Sequence, residues 1–216
     1  MIALYIALAL LAAYTLGSLP VGYSIVRLAK GVDIRTVGSG HTGGTNVLRT
    51  AGSVPAALTV LGDFIKGYGA VLLARTLCPT VPAVWALAGL AAVAGHNWSL
   101  FLGLRGGVGT MTTLGAATAL LPLAVIGAVI PTVLVIVAWR YTSLGSLTLA
   151  ATLPLIGLVG VVRGLWPPSH LILCLGTSLM AVWALRANIR RLCRGTERRL
   201  GQRLRSEPAD ASHGCP

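Results

Sequence analysis

The sequence predicts an all-α, polytopic integral membrane protein with about seven transmembrane helices, its N-terminus outside and its C-terminus cytoplasmic. Three observations lead there. Of 216 residues, 55% are hydrophobic and only 10% charged, against about 25% charged in a soluble domain, and mean hydropathy is +0.82. The apolar residues gather in runs that approach the roughly 20 needed to cross a bilayer. The basic residues sit between and after those runs. A chain this apolar cannot cover its surface with charge, which excludes a soluble enzyme. Disorder is excluded because disordered segments are polar. The four cysteines Cys78, Cys174, Cys193 and Cys215 are too scattered for a disulfide scaffold or a CxxC metal site.

The expected spans are 2–26, 54–74, 82–102, 111–121, 123–138, 147–162 and 169–185. The first has no basic residue ahead of it and several behind, so it reads as a retained anchor and not as a cleaved leader. The fourth is short, and Pro122 separates it from the fifth because proline breaks the helical hydrogen-bond ladder. With seven crossings, the inside segments hold fourteen basic residues and the outside loops two, Arg75 and Arg163, with Lys66 inside a span. Merging the fourth and fifth spans would spoil this asymmetry, which follows the excess of Lys and Arg on the cytoplasmic side. Residues 1–200 form the membrane-embedded unit on this reading, and 201–216 a polar, disordered tail. The net charge of +12 belongs to membrane flanks; no polar stretch is long enough to fold a nucleic-acid module, so no nucleic-acid partner is expected.

Three polar clusters fall at the inner face. GVDIRTVGSGHTGGTNVLR, from Gly31 to Arg49, sets Gly38, Gly40, Gly43 and Gly44 among Ser39, Thr42, Thr45 and Asn46, flanked by Arg35 and Arg49. Glycines let backbone N–H groups converge on an anion, and arginine adds bidentate charge-assisted bonds to phosphate. A flexible polar loop is the competing reading, and GxxxxGK[ST] is absent. The second cluster, GDFIKG, places Asp63 and Lys66 on one helix face. Each charge costs about 2.5–3.5 kcal/mol at a helix centre, so the pair marks a polar interior; a structural ion pair is the plainer alternative. The third, AGHNWSLFLGLRGGVGT, sets His96, Asn97 and Arg105 ahead of Gly106, Gly107 and Gly109, before a helix whose N-terminus attracts anions. A lone histidine such as His96 is more often structural than catalytic. No Ser or Cys stands with a base and an orienting partner, and no set of residues has metal-ligand spacing. Two Arg-flanked glycine loops on one face thus point to a membrane-embedded site for two phosphorylated ligands.

At these residues the chain resembles the bacterial acyl-phosphate glycerol-3-phosphate acyltransferases, the PlsY family. GSLPVGY (Gly17–Tyr23) and VDIRTVGSGHTGGTNVLR (Val32–Arg49) resemble its first signature, GDFIKG its second and GHNWSLFLGLRGGVGT its third; RYTSLGS and NIRRLCRGTE also resemble family segments. The resemblance implies a seven-helix bacterial inner-membrane enzyme with its site at the cytoplasmic face. Such an enzyme moves an acyl chain from acyl phosphate to the sn-1 hydroxyl of glycerol 3-phosphate, giving lysophosphatidic acid and phosphate for phospholipid synthesis. It implies no cofactor and no metal, with the two substrates and membrane lipids as partners. By position, Ser39, Arg49 and Asn188 would be catalytic. Gly38, Gly40, Thr45, Asn46, Gly106, Gly107 and Gly109 would bind substrate, and Asp63, Lys66, His96, Arg105 and Glu197 would brace the site.

Four positions depart from the family pattern. Val108 replaces a phosphate-contacting lysine, Leu185 a histidine, His41 an asparagine and Ser99 a proline. A lost cation removes a charge-assisted contact of about 1.5–3 kcal/mol, for which Arg105 or Arg186 would have to substitute. A diverged, non-catalytic paralogue that binds lipid phosphate or modulates a partner is the alternative reading. A transporter would show matched broken helices in repeated halves, and none is seen.

Overall fold

The computed structural model describes residues 1–202, so the expected polar tail lies, from 203 onward, outside the described residues. Those residues hold ten α-helices and no strand. The helices are α1 (Ile2–Ser18), α2 (Val21–Lys30), α3 (Gly44–Ala51), α4 (Ser53–Leu77), α5 (Pro82–Asn97), α6 (Thr110–Leu120), α7 (Pro122–Trp139), α8 (Thr142–Val162), α9 (Leu171–Ala184) and α10 (Arg186–Cys193), with 3-10 turns at Ile34–Thr36, Leu100–Leu102 and Pro168–His170. Four spans are long and apolar enough to cross a bilayer: α1 with α2, α4, α7 and α8. The segment Pro168–Cys193 makes a fifth if its 60° bend is counted as one span.

The differences from the expected spans have local causes. The first run is interrupted at Leu19–Pro20, where proline supplies no N–H. The carbonyls exposed there are taken from across the bundle: Ser99 Oγ donates to Ser18 O at 2.6 Å and Lys66 Nζ to Leu19 O at 3.2 Å. The third run ends as α-helix at Asn97, not at 102, and continues as a 3-10 turn closed by Gly103 at positive φ. Pro122 does start a new helix, leaving α6 at 11 residues; Leu121 between them has φ −140 and ψ 63, outside the helical region.

Small residues set the closest crossings, as is usual where lipid gives helices no hydrophobic reason to associate. A Cβ on Gly67 of α4 would collide with Thr112 O, and one on Gly115 of α6 with Phe64 O. This reciprocal notch draws α6 onto α4. Beside it, Val71, Ala116, Leu120, Leu121, Leu149, Leu153 and Leu173 form one core, while alanines of α1, α4 and α5 form another. The outer faces keep exposed leucines and isoleucines, among them Leu4, Leu8, Leu11, Ile126 and Ile130, as a lipid-facing surface requires.

Candidate active site

The first polar segment is an ordered loop built around one side chain. Asn46, 2% exposed, shares the two N–H groups of Nδ2 among the carbonyls of Ile34, Val37 and His41 at 3.2, 2.9 and 3.0 Å, and its Oδ1 accepts from Ser39 N at 3.2 Å. Gly38 makes this possible: its φ is +65, and a Cβ there would strike Asn46 Oδ1. Asp33 holds the loop's far end, pairing with Arg35 at 2.7 Å; hydrogen bonds from the Arg35 side chain and backbone hold its carboxyl at about 2. Beneath lie Val26, Ile34, Val47 and Ala56. The loop ends by feeding α3, whose first N–H groups have no helical carbonyl to meet.

The GDFIKG pair is completed from α5. Lys66 Nζ lies 2.9 Å from Asp63 Oδ1 and 2.8 Å from His96 Nδ1, and all three residues are at most 6% exposed. A charged lysine has only donors, so Nδ1 accepts and the ring proton sits on Nε2. The third glycine loop packs on that ring: a Cβ at Gly107 would overlap His96 Nε2, and one at Gly106 would overlap His96 O. Gly109, at φ +84, then turns the chain into α6 against Asn97.

These pieces border a cavity of about 190 Å³. Its polar wall includes Ser39, His41, Thr45, Asp63, His96, Asn188 and Glu197, and its apolar wall Met111, Leu114 and Ile136. The starts of α3 (Gly43, Gly44, Thr45) and of α6 (Gly109, Thr110, Met111) both open onto it, so two helix N-termini with their positive dipole ends face one space. A smaller cavity of about 110 Å³ adjoins it, lined by Gly38, Ser39, Arg49, Asn188, Arg191, Glu197 and Arg198. Glu197 closes this side. Its carboxylate accepts from Ser143 Oγ at 3.0 Å, Asn188 Nδ2 at 2.8 Å and Arg191 Nε at 2.8 Å. Burial pushes its pKa up, but those three donors outweigh burial and hold it below the usual carboxylate range. Asn188 Oδ1 and Arg49 Nε are buried without a partner.

The expected site residues therefore divide. Ser39, Arg49, Asn188, Thr45, Asn46, Gly109, Asp63, His96 and Glu197 line the main cavity, with Gly38 on the smaller one. Gly40, Gly106, Gly107 and Lys66 stand behind the wall. Arg105 is exposed and lines neither cavity. Arg186 is also outside, stacked on Trp183 at 4.8 Å, so neither arginine substitutes for Val108 or Leu185, which do line the cavity. Asn46 faces the cavity edge, but its carboxamide is used up on loop backbone. Sequence reasoning missed Ser143, Arg191 and Arg198. Arg191, paired with Glu197, and Arg198, whose carbonyl meets Arg49 across 149 positions, lie in and just after the NIRRLCRGTE segment, where they read as part of a basic tail.

Residues 7–195 match the family model described as glycerol-3-phosphate acyltransferase. The chain is 44% identical to glycerol-3-phosphate acyltransferase 2 of Moorella thermoacetica over 91% of its own length and 98% of the relative's. It is also 44% identical to the glycerol-3-phosphate acyltransferase of Rubrobacter xylanophilus, covering 91% and 96%. Among solved structures it is similar to PlsY, an integral membrane glycerol 3-phosphate acyltransferase, in its glycerol 3-phosphate form (TM-score 0.83, 34% identity, 91% of this chain and 96% of that one). The lysophosphatidic acid form of PlsY gives a TM-score of 0.81 at 33% identity, covering 91% and 95%.

Proposed function

Because the chain belongs to the glycerol-3-phosphate acyltransferase family, we propose that its two adjoining cavities hold an acyl phosphate and glycerol 3-phosphate side by side. The chain is an acyltransferase of phospholipid synthesis, making lysophosphatidic acid from glycerol 3-phosphate. The sn-1 hydroxyl oxygen bonds to the acyl carbon, the bond from that carbon to phosphate oxygen breaks, and the hydroxyl proton leaves with inorganic phosphate.

The convergence of two helix N-termini on one cavity carries the site assignment. The acyl phosphate group lies against the starts of α3 and α6, where unpaired N–H groups and dipoles favour an anion and meet the negative charge that builds on the carbonyl and the departing phosphate. Met111, Leu114 and Ile136 take the first carbons of the acyl chain. Glycerol 3-phosphate enters the smaller cavity, with its phosphate on Arg49 and Ser39. Asn188 Oδ1, a buried acceptor with nothing to accept, receives a glycerol hydroxyl. Holding both reactants in register supplies most of the rate, because acyl phosphate is already activated. No protein nucleophile is required. Ser143 does bond to Glu197, but a carboxylate held by Arg191 and Asn188 is a poor base.

Residues 1–200 act as one membrane-embedded unit. α5, α6 and α9 complete seven crossings with the four long spans, in a bacterial inner membrane. Arg27, Arg35, Arg49, Arg140 and α10 then share one face, which the basic excess makes cytoplasmic. The test is transfer from acyl phosphate to glycerol 3-phosphate by purified protein, with lysophosphatidic acid and phosphate released in equal amounts. Absence of both products, with an ordinary relative active alongside, would overturn the reading.

A further inference from the structure

The smaller cavity poses a problem of charge. A phosphate monoester carries close to two negative charges at neutral pH, and a half-buried site has to neutralise them. Three arginines border this cavity: Arg49, Arg191 and Arg198, the last of them an exposed residue at its rim. Arg191 is already committed, its Nε 2.8 Å from Glu197 Oε2. Lys66, the nearest buried ammonium, is committed to Asp63. Val108 and Leu185, on the main cavity, bring no charge either. Among the described residues this leaves Arg49 and Arg198.

Two details single out Arg198. Its carbonyl accepts from Arg49 Nη2 at 3.3 Å, so the backbone itself ties the two arginines together. Among the described residues no carboxylate forms an ion pair with either of them. Burial first and then the neighbouring Arg198 charge lower the Arg49 pKa, against the opposing pull of Glu197, so the two like charges are held close. Arg49 Nε, meanwhile, is buried and unpaired.

We propose that Arg198 is the second phosphate-holding cation of this chain, clamping the glycerol 3-phosphate phosphate from the C-terminal side while Arg49 holds it from α3. The inference rests on the substrate reading above and adds a residue to it. Glu197 is then the anchor that sets Arg198 in place: bound to Ser143, Asn188 and Arg191, it fixes the chain one residue before the clamp. Specificity for a phosphorylated glycerol comes from this segment as well as from the glycine loop.

Arg198→Ala removes the guanidinium but keeps the carbonyl that steadies Arg49, so steady-state kinetics isolate the charge. The expected result is a KM for glycerol 3-phosphate raised about 10- to 100-fold, the scale of one lost charge-assisted contact. The KM for acyl phosphate and kcat at saturation stay near wild type, and Arg198→Lys keeps most of the affinity. An unchanged KM for glycerol 3-phosphate overturns the proposal. Should Arg198→Ala be wholly inactive, equilibrium binding of radiolabelled glycerol 3-phosphate decides: weaker binding than wild type supports the clamp and equal affinity overturns it. An inactive wild type would count against the substrate reading alone; equilibrium binding of radiolabelled glycerol 3-phosphate to wild type and Arg198→Ala then still reads the clamp, with equal affinities overturning it.

Discussion

Two groups of charges sit a short distance apart and have opposite bookkeeping. Around Asp63, Lys66 and His96 the opposite charges are paired: carboxylate, imidazole and the Leu19 carbonyl surround one ammonium. Around Arg49, Arg198 and Asn188, one donor (Arg49 Nε) and one acceptor (Asn188 Oδ1) are left over. The first group spans α4, α5 and the break after α1, so it fastens helices. The second spans α3, α10 and the C-terminal segment and leaves room for an anion. In a membrane protein, charge inside the bundle marks function by default, and here the completeness of pairing separates the charge that fastens helices from the charge that the proposed function gives to substrate.

Breaking the complete group should have the largest effect. Lys66→Met strands the Asp63 carboxylate, and removing one partner of a buried pair costs about 3–5 kcal/mol. Thermal unfolding in detergent should show a marked fall in midpoint together with reduced yield. Adding Asp63→Leu should recover most of it, because no uncompensated charge then remains. A single variant as stable as wild type would show that the pair fastens nothing.

The incomplete group should behave the other way. Arg49→Ala relieves crowding with Arg198 and leaves the core untouched, so the thermal midpoint should stay within error. kcat/KM for glycerol 3-phosphate should fall about 10- to 100-fold, from one lost charge-assisted contact. Lower stability with unaltered kinetics would erase the distinction between the two groups.

Which parts of this were readable in the sequence follows from the same contrast. Local chemistry was legible: Pro122 starts a helix, Asp63 and Lys66 pair one turn apart, and the glycine loops lie at helix starts. Partners far apart in the chain were not. His96 read as a lone residue, and its partner Lys66, 30 positions away, could not be seen. Ser143 joins Glu197 across 54 positions, and the direction of the Asn46 carboxamide, toward its own loop, is set by tertiary contacts. α3 escaped notice because the glycines that open it suggest a loop, and α10 because its basic face reads as a solvated tail. The break at Leu19–Pro20 was masked by an apolar run that continues through it.

His41 offers the finest probe of the comparison, since it lines the main cavity yet belongs to neither group. Burial lowers its pKa, and the positive Arg191 and Arg186 lower it further against a hydrogen bond to Gly106. The ring is therefore neutral at pH 7.5, and His41→Asn should change kcat/KM there by less than about threefold, under 1 kcal/mol. The sign of the pH effect follows from that lowered pKa. Below pH 6.5 the unfolded chain takes up a proton that the folded one refuses, so stability is lost as pH falls from about 6.5 toward the folded-state value. His41→Asn removes this share, and its thermal midpoint should decline less than that of wild type between pH 7 and pH 5.5. An equal decline would mean that His41 titrates freely, as an exposed side chain would, and that the wall of the cavity is wetter than its lining residues imply.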